Sequence, residues 1–237
     1  MRITVLSTDT IHHTYFVSEL KKLYPDTSVV CETKTYSALF ETSHSFEIDR
    51  DSYELDRWFG GVKTKISDVA LTKNVNNIND YETLKFLSEI NPEVIISFGV
   101  GKIHSEIINL YGGRLVNLHG GNPEEYRGLD SHLWAIYHND FINLITVLHL
   151  VDSSLDTGDI VETGNIELFT GIDMKALRKI NTEICLNITI KALSNYEKNN
   201  IFDSRPQLKI GRYYSFMPSV LKDSCVKNFL RYAKDLV

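Results

Sequence analysis

Short apolar runs alternate with helical spacings through the first two thirds of the chain, the pattern of an α/β fold built on a mainly parallel sheet. Residues 3–6, Ile-Thr-Val-Leu, read as a buried strand, a helix over 13–23 stops before Pro25, and residues 28–31, Ser-Val-Val-Cys, read as the next strand. From 35 to 80 the chain is polar and aromatic with weak period, so helix and loop are expected there. Asp80 caps a helix running to 90, Asn91-Pro92 ends it, and Val94-Ile95-Ile96-Ser97-Phe98 is the near-continuous apolar run of a central parallel strand. Gly99-Val100-Gly101 then turns the chain into a short helix over 105–110.

Residues 115–119 form another expected strand, closed by Gly120-Gly121-Asn122-Pro123, and 131–138 resume as helix. Strands over 143–151 and 159–168 are joined by an acidic turn over 152–158. A long helix over 173–196 carries Leu177, Ile180, Ile184, Ile188 and Leu193 at helical spacing. The last segment, 205–237, has seven basic against two acidic residues, so the body before it is more acidic than the whole. There is no internal repeat and no low-complexity linker.

Composition narrows the partners. The 237 residues are 43% hydrophobic, enough for a full core, and 31 acidic against 25 basic residues give a net charge of −6. Such a body repels a phosphate backbone, so nucleic acid is not an expected partner. The opening strand leaves no room for a secretory leader, and no stretch approaches the ~20 apolar residues that span a bilayer, so no membrane partner is expected. Cys31, Cys185 and Cys225 are far apart and never in a C-x-x-C pair, which points to neither a disulfide framework nor zinc and fits a reducing cytoplasm.

Asn117 and His119 stand two apart at the end of a predicted strand, so their side chains share a face where the chain breaks into a glycine-rich loop. The carboxyl ends of parallel strands border ligand crevices. Singly, a strand histidine is ordinarily structural and an Asn before a loop a turn former. Leu155-Asp156-Thr157-Gly158-Asp159-Ile160, singly, is a hairpin turn; an aspartic protease would need a second matching turn, which the chain lacks. His12-His13 cannot share a helical face, so a metal site is not expected there, but they follow the first strand within reach of a substrate. Trp134, Tyr137 and His138 read as core and rim. Tyr213, Tyr214 and Phe216 beside Arg205, Lys209, Arg212 and Lys222 suit a nucleobase and a diphosphate, or equally a strand and helix with solvated lysines.

In order, Asn117-Leu118-His119, Tyr126-Arg127-Gly128 and the Leu155-Asp156-Thr157-Gly158 turn resemble the folate-dependent formyltransferase family over about 94–161, with most likeness to bacterial nucleotide-sugar N-formyltransferases. The resemblance implies a Rossmann-like three-layer fold, a catalytic domain over 1–200 and a C-terminal extension over 201–237 packing on it. It implies Asn117, His119 and Asp156 as the catalytic trio, and Phe98, Gly99, Val100, Lys102 and Ile103 with Asp152 and Leu155 around the folate. His12, Arg127, Tyr213 and Tyr214 are expected on the acceptor, and no metal. A neutral amine would attack the formyl carbon of 10-formyltetrahydrofolate, with Asn117 and His119 as donors to the resulting oxyanion. Asp156 would orient or charge the imidazole and collect the proton.

Many members carry Ser-Leu-Leu-Pro after the histidine, where this chain has Gly120-Gly121-Asn122-Pro123, so a different acceptor side is expected. Methionyl-tRNA enzymes of the family have a separate basic C-terminal domain, and glycinamide-ribonucleotide enzymes a glycine-rich phosphate loop after the first strand; residues 7–13 here contain no glycine. The expected acceptor is therefore a nucleotide-linked amino dideoxy sugar of surface-polysaccharide (O-antigen) biosynthesis, with a homodimer compatible. Another small amine, methionyl-tRNA or a non-catalytic folate-binding module remain the alternatives.

Overall fold

The computed structural model describes residues 1–236. The chain runs β1 (Ile3–Ser7), α1 (Ile11–Leu23), β2 (Thr27–Glu32), α2 (Ser45–Phe59), α3 (Ile66–Val69), β3 (Leu71–Val75) and α4 (Tyr81–Ile90). It continues through β4 (Val94–Ser97), α5 (Ser105–Tyr111), β5 (Leu115–His119), β6 (Tyr126–Gly128), α6 (Ser131–Tyr137), β7 (Ile145–Leu150) and β8 (Ile160–Asn165). α7 (Leu177–Asn199), β9 (Arg212–Tyr214) and α8 (Ser219–Lys234) complete it. A seven-stranded sheet has the order β3-β2-β1-β4-β5-β7-β8. β3 through β5 in that order pair in parallel, while β7 and β8 join antiparallel.

Alternation along the strands divides the core between two faces. Ile3 and Val5 of β1, Val29, Ile96 and Val116 pack under α1 and α7 through Phe16, Val17, Leu20, Ile188 and Leu193. Leu6, Val30, Ile95 and Leu115 face the other way, against Leu87 of α4 and Ile107 of α5. The result is the expected helix–sheet–helix layering, with a third apolar cluster where Cys225 and Phe229 of α8 meet Ala135 and Ile136 of α6. Among the described residues no helix is long and apolar enough to cross a membrane.

Four elements depart from the sequence pattern. β3, inside the stretch read as helix and loop, is an edge strand paired only to β2, so Thr72, Lys73 and Asn74 can stay polar and Leu71 exposed without losing the ladder. β6 and β9 pair in parallel over three residues each, too short for any period to register. α7 starts at Leu177 rather than 173, because Asp173 instead caps a single 3-10 turn by accepting from the Lys175 N–H at 2.9 Å.

Candidate active site

The strand order reverses between β1 and β4, and there the carboxyl ends of the parallel strands open onto a cavity of about 540 Å³. Its first wall is the turn after β4. The Ser7 hydroxyl donates to the Phe98 carbonyl (2.8 Å) and the Phe98 N–H to the Leu6 carbonyl (2.9 Å), which ties the turn across the switch point. Gly99 has φ +78°, and a Cβ there would stand 2.3 Å from His13 Cε1, so only glycine lets the His13 ring lie against this turn. Glu32, buried at the end of β2, accepts the Gly101 N–H (2.8 Å) and the Ile78 N–H (2.9 Å) and fixes the far side.

The opposite wall holds Asn117, His119 and Asp156, which the fold brings together from β5 and the β7–β8 turn. His119 Nε2 lies 2.8 Å from the Tyr126 carbonyl, which can only accept, so Nε2 carries the hydrogen. In the neutral ring Nδ1 is then bare, and it faces Asp156 Oδ2 at 3.7 Å. His149 Nδ1 likewise donates to the Leu150 carbonyl (2.7 Å), leaving Nε2 to accept from the Asn117 amide at 3.2 Å. That chain fixes the Asn117 amide with its nitrogen toward His149 and one N–H without a partner among the described residues. Asn117 and His119 are both expected as donors; in the neutral ring the one N–H of His119 is already on the Tyr126 carbonyl.

Asp156 itself sits at φ 54°, a left-handed conformation that Asp tolerates. Its Oδ2 accepts the Gly128 N–H at 2.8 Å, and the turn is braced by Arg127 Nη1 on the Leu155 carbonyl (3.0 Å) and Gln207 Nε2 on the Asp156 and Gly158 carbonyls (3.0 and 2.9 Å). The Gly120-Gly121 departure also has a steric cause: a Cβ on Gly121 would stand 2.6 Å from Ser131 Cβ and 3.2 Å from His119 Nε2.

Burial dominates the electrostatics. It alone would raise the Asp156 carboxyl, but the His119 and His149 rings and the Gly128 N–H outweigh it and hold it at about 2. Burial lowers His119 against the pull of Asp156, takes His13 to about 3 and His132 to about 4, and with His13, Arg178 and Arg50 brings His12 well down. Each of these rings stays neutral in the fold at pH values where it would be charged in the unfolded chain. The unfolded state therefore binds more protons below pH 6.5, and stability present above that value is lost as pH falls, by up to about 1.4 kcal/mol per pH unit for each of His13 and His132 and in the same direction for His12 and His119. Urea unfolding at pH 7, 6 and 5 should show a steepening loss, and a flat profile would contradict the neutral cluster.

All the residues expected at the trio and the folate line this one cavity, and so does His12. Arg127, Tyr213 and Tyr214 do not. Arg127 Nε donates to the Gly211 carbonyl (2.7 Å) and its Nη1 to the Leu155 carbonyl, so the guanidinium ties the tail to the acidic turn outside the cavity. Tyr214 stacks on Tyr126 and bonds His138 Nε2 at 3.3 Å, and Tyr213 is 51% exposed outside the cavity. β9 ends at Tyr214, and Phe216 beyond it is the tail residue that reaches the cavity. Lys222, expected near a diphosphate, is buried and donates to Glu47 Oε1 at 2.9 Å. Sequence reasoning gave no role to His149, whose hydrogen bond to Asn117 follows from its register opposite that residue, and missed Arg50, Arg178 and Glu32, whose partners are distant in sequence.

Among known proteins, the methionyl-tRNA formyltransferase of Finegoldia magna is 27% identical over 132 residues, 55% of this chain and 42% of that protein. The chain thus spans about half or less of the length of the curated relatives it matches first. Among solved structures, the formyltransferase PseJ from Anoxybacillus kamchatkensis, in complex with UDP-4,6-dideoxy-4-formamido-L-AltNAc and tetrahydrofolate, superposes with TM-score 0.57 at 18% identity, covering 99% of this chain and 93% of that one. WlaRD, a sugar 3N-formyl transferase crystallised with dTDP and 5-N-formyl-THF, superposes with TM-score 0.54 at 18% identity over 91% of this chain and 69% of that one. At those identities the likeness shows the shared fold. The sequence profile of the formyl transferase family matches residues 52–192, more than half of the chain, and the chain belongs to that family.

Proposed function

We propose that the chain transfers a formyl group from 10-formyltetrahydrofolate to the amine of a nucleotide-linked amino sugar. The observation that carries the reading is the convergence of Asn117, His119 and Asp156 on one cavity whose facing walls suit a flat heterocycle. Phe98, Val100, Ile103, Val151 and Leu155 supply apolar surface, with Lys102 and Asp152 as polar groups beside it. These residues, with Gly99, would hold the folate, which when bound supplies an activated formyl carbon. Asn117 keeps its second amide N–H for a carbonyl oxygen that gains charge during attack. His119 Nδ1 is the bare nitrogen able to take the amine's proton, and the Asp156 carboxylate stabilises the ring once charged. His12 stands at the acceptor end.

The acceptor class is supported by the ligands named for PseJ and WlaRD; a role in O-antigen synthesis is part of the proposal. On this reading residues 1–200 form the catalytic domain and 201–237 an extension that braces the acidic turn through Gln207 and Gly211. Nucleotide sugars and folates are charged metabolites of the cytoplasm, which supports a cytoplasmic protein on this reading; a homodimer is compatible. Methionyl-tRNA is the second reading, favoured by the curated relatives and opposed by the net charge of −6. The test incubates the protein with 10-formyltetrahydrofolate and a panel of UDP-, dTDP- and GDP-linked amino sugars, with methionyl-tRNA as a further arm. A mass gain of one formyl group on a sugar is expected; gain on methionyl-tRNA alone, or on nothing, would sink the sugar reading.

A further inference from the structure

One end of the cavity is used by neither the trio nor the folate walls. Arg50 of α2 and Arg178 of α7 line it with His12 of α1, whose ring lies 5.8 Å from that of Phe98. Both guanidinia meet one oxygen: Arg50 Nε is 3.1 Å and Arg178 Nη2 2.6 Å from Asp51 Oδ1. Arg178 Nε also donates to Glu54 Oε1 at 2.8 Å, and Glu54 is fully buried. Glu47 is engaged by Lys222 and stays 3.7 Å from Arg50 Nη1, beyond hydrogen-bond reach. The carboxylates therefore grip the pair through Nε of both and Nη2 of Arg178. Nη1 and Nη2 of Arg50 and Nη1 of Arg178 have no hydrogen-bond partner among the described residues, although both side chains are mostly buried and wall the cavity.

Charge and shape define what those donors can take. Arg50, Arg178 and Lys222 are balanced by Glu47, Asp51 and Glu54, so the pair can assemble before any ligand arrives. The remaining carboxylate on this wall, Asp130, accepts the Met217 N–H at 2.8 Å, and burial raises its pKa. Guanidinium donors fixed in planar forks match oxyanions, and here they come from two helices with an imidazole from a third. Donors converging from three elements fit a tetrahedral phosphoryl group better than a planar carboxylate. We propose that Arg50 and Arg178, with His12, form the subsite for a phosphoryl group of the acceptor, which anchors that molecule while its amine reaches the trio. The identity of the amine end rests on the formyl-transfer reading; the anion subsite is testable without it. It also moves the phosphate contact away from the tail, where Lys222 is consumed by Glu47 and Arg212 lies over the Tyr214 ring.

The experiment is calorimetric titration of the full chain with pyrophosphate, inorganic phosphate and succinate, with tetrahydrofolate titrated separately. Pyrophosphate and phosphate should bind, and succinate should bind about tenfold more weakly or worse. Arg50→Gln should weaken pyrophosphate by about tenfold or more, and Arg50→Lys, which keeps the charge but not the fork, should restore only part of it. Both variants should bind tetrahydrofolate as the unmodified protein does. If Arg50→Gln does not fold, the unmodified chain and Arg50→Lys carry the decision. No pyrophosphate binding by the unmodified chain, equal binding by a folded Arg50→Gln, or a preference for succinate would overturn the subsite. Loss of tetrahydrofolate binding with the pyrophosphate pattern as expected would count against formyl transfer and uphold the phosphoryl subsite.

Discussion

Asp156→Asn should lower turnover by about 10²–10⁴-fold while the fold and tetrahydrofolate binding survive. The substitution is close to isosteric, and Asn can still accept the Gly128 N–H now bonded to Oδ2 at 2.8 Å. Asn also tolerates the left-handed backbone at φ 54°, so no new strain enters the turn. What disappears is the negative charge opposite His119 Nδ1. Burial already lowers the His119 pKa, and the Asp156 charge is the largest influence opposing that fall. Without it the ring cannot hold a proton taken from an attacking amine. The checks are kcat at saturating substrate and the tetrahydrofolate Kd measured on the same preparation. A Kd that weakens in step with kcat would make Asp156 a structural turn residue. Asp156→Ala is the less informative change, because it strands the Gly128 N–H at about 1–3 kcal/mol and puts a Cβ-bearing residue without polar compensation in the left-handed region.

The central parallel strands were legible because they are buried on both faces, whereas the edge strand β3 is polar and was not. Val94 to Ile96 is buried throughout, and such a run needs helices above and below it. Asn117 and His119 were legible as a pair for an equally local reason, the two-residue period that puts both on one cavity wall. Residues whose function depends on pairing between distant segments were not. His149 orients Asn117 only because β7 runs antiparallel to β5 in the register that sets it opposite, and no local pattern encodes that register. Arg50 and Arg178 look like solvated helix charges until α2 and α7 bring them to one Asp51 oxygen. The tail misled for the converse reason. Its aromatic and basic residues have ligand-binding chemistry, but β9 uses Tyr214 to cover Tyr126, and α8 uses Lys222 to tie Glu47. Composition shows what a segment can bind, and packing decides whether those groups remain free to bind it.

His119→Ala should reduce kcat by about 10²–10⁴-fold with little change in either KM. The ring touches the cavity, but its Nε2 hydrogen is held by the Tyr126 carbonyl at 2.8 Å, so substrate meets the Nδ1 side. Two roles then give different results with a second variant. If His119 serves as a donor to an oxyanion, His119→Gln can present an amide N–H and should recover part of the rate. If it serves as the proton acceptor through Nδ1, Gln cannot take a proton near neutral pH and should be as slow as Ala. The hydrogen bonds favour the acceptor role, so the two variants should match. The pH profile gives an independent reading: the unmodified protein should lose kcat on the acid side, at a pH below the ordinary 6.5 because burial lowers the ring's pKa, and the Gln variant should lack that limb. Substantial recovery by Gln with an unchanged acid limb would return His119 to the donor role and leave proton removal to Asp156 or to water.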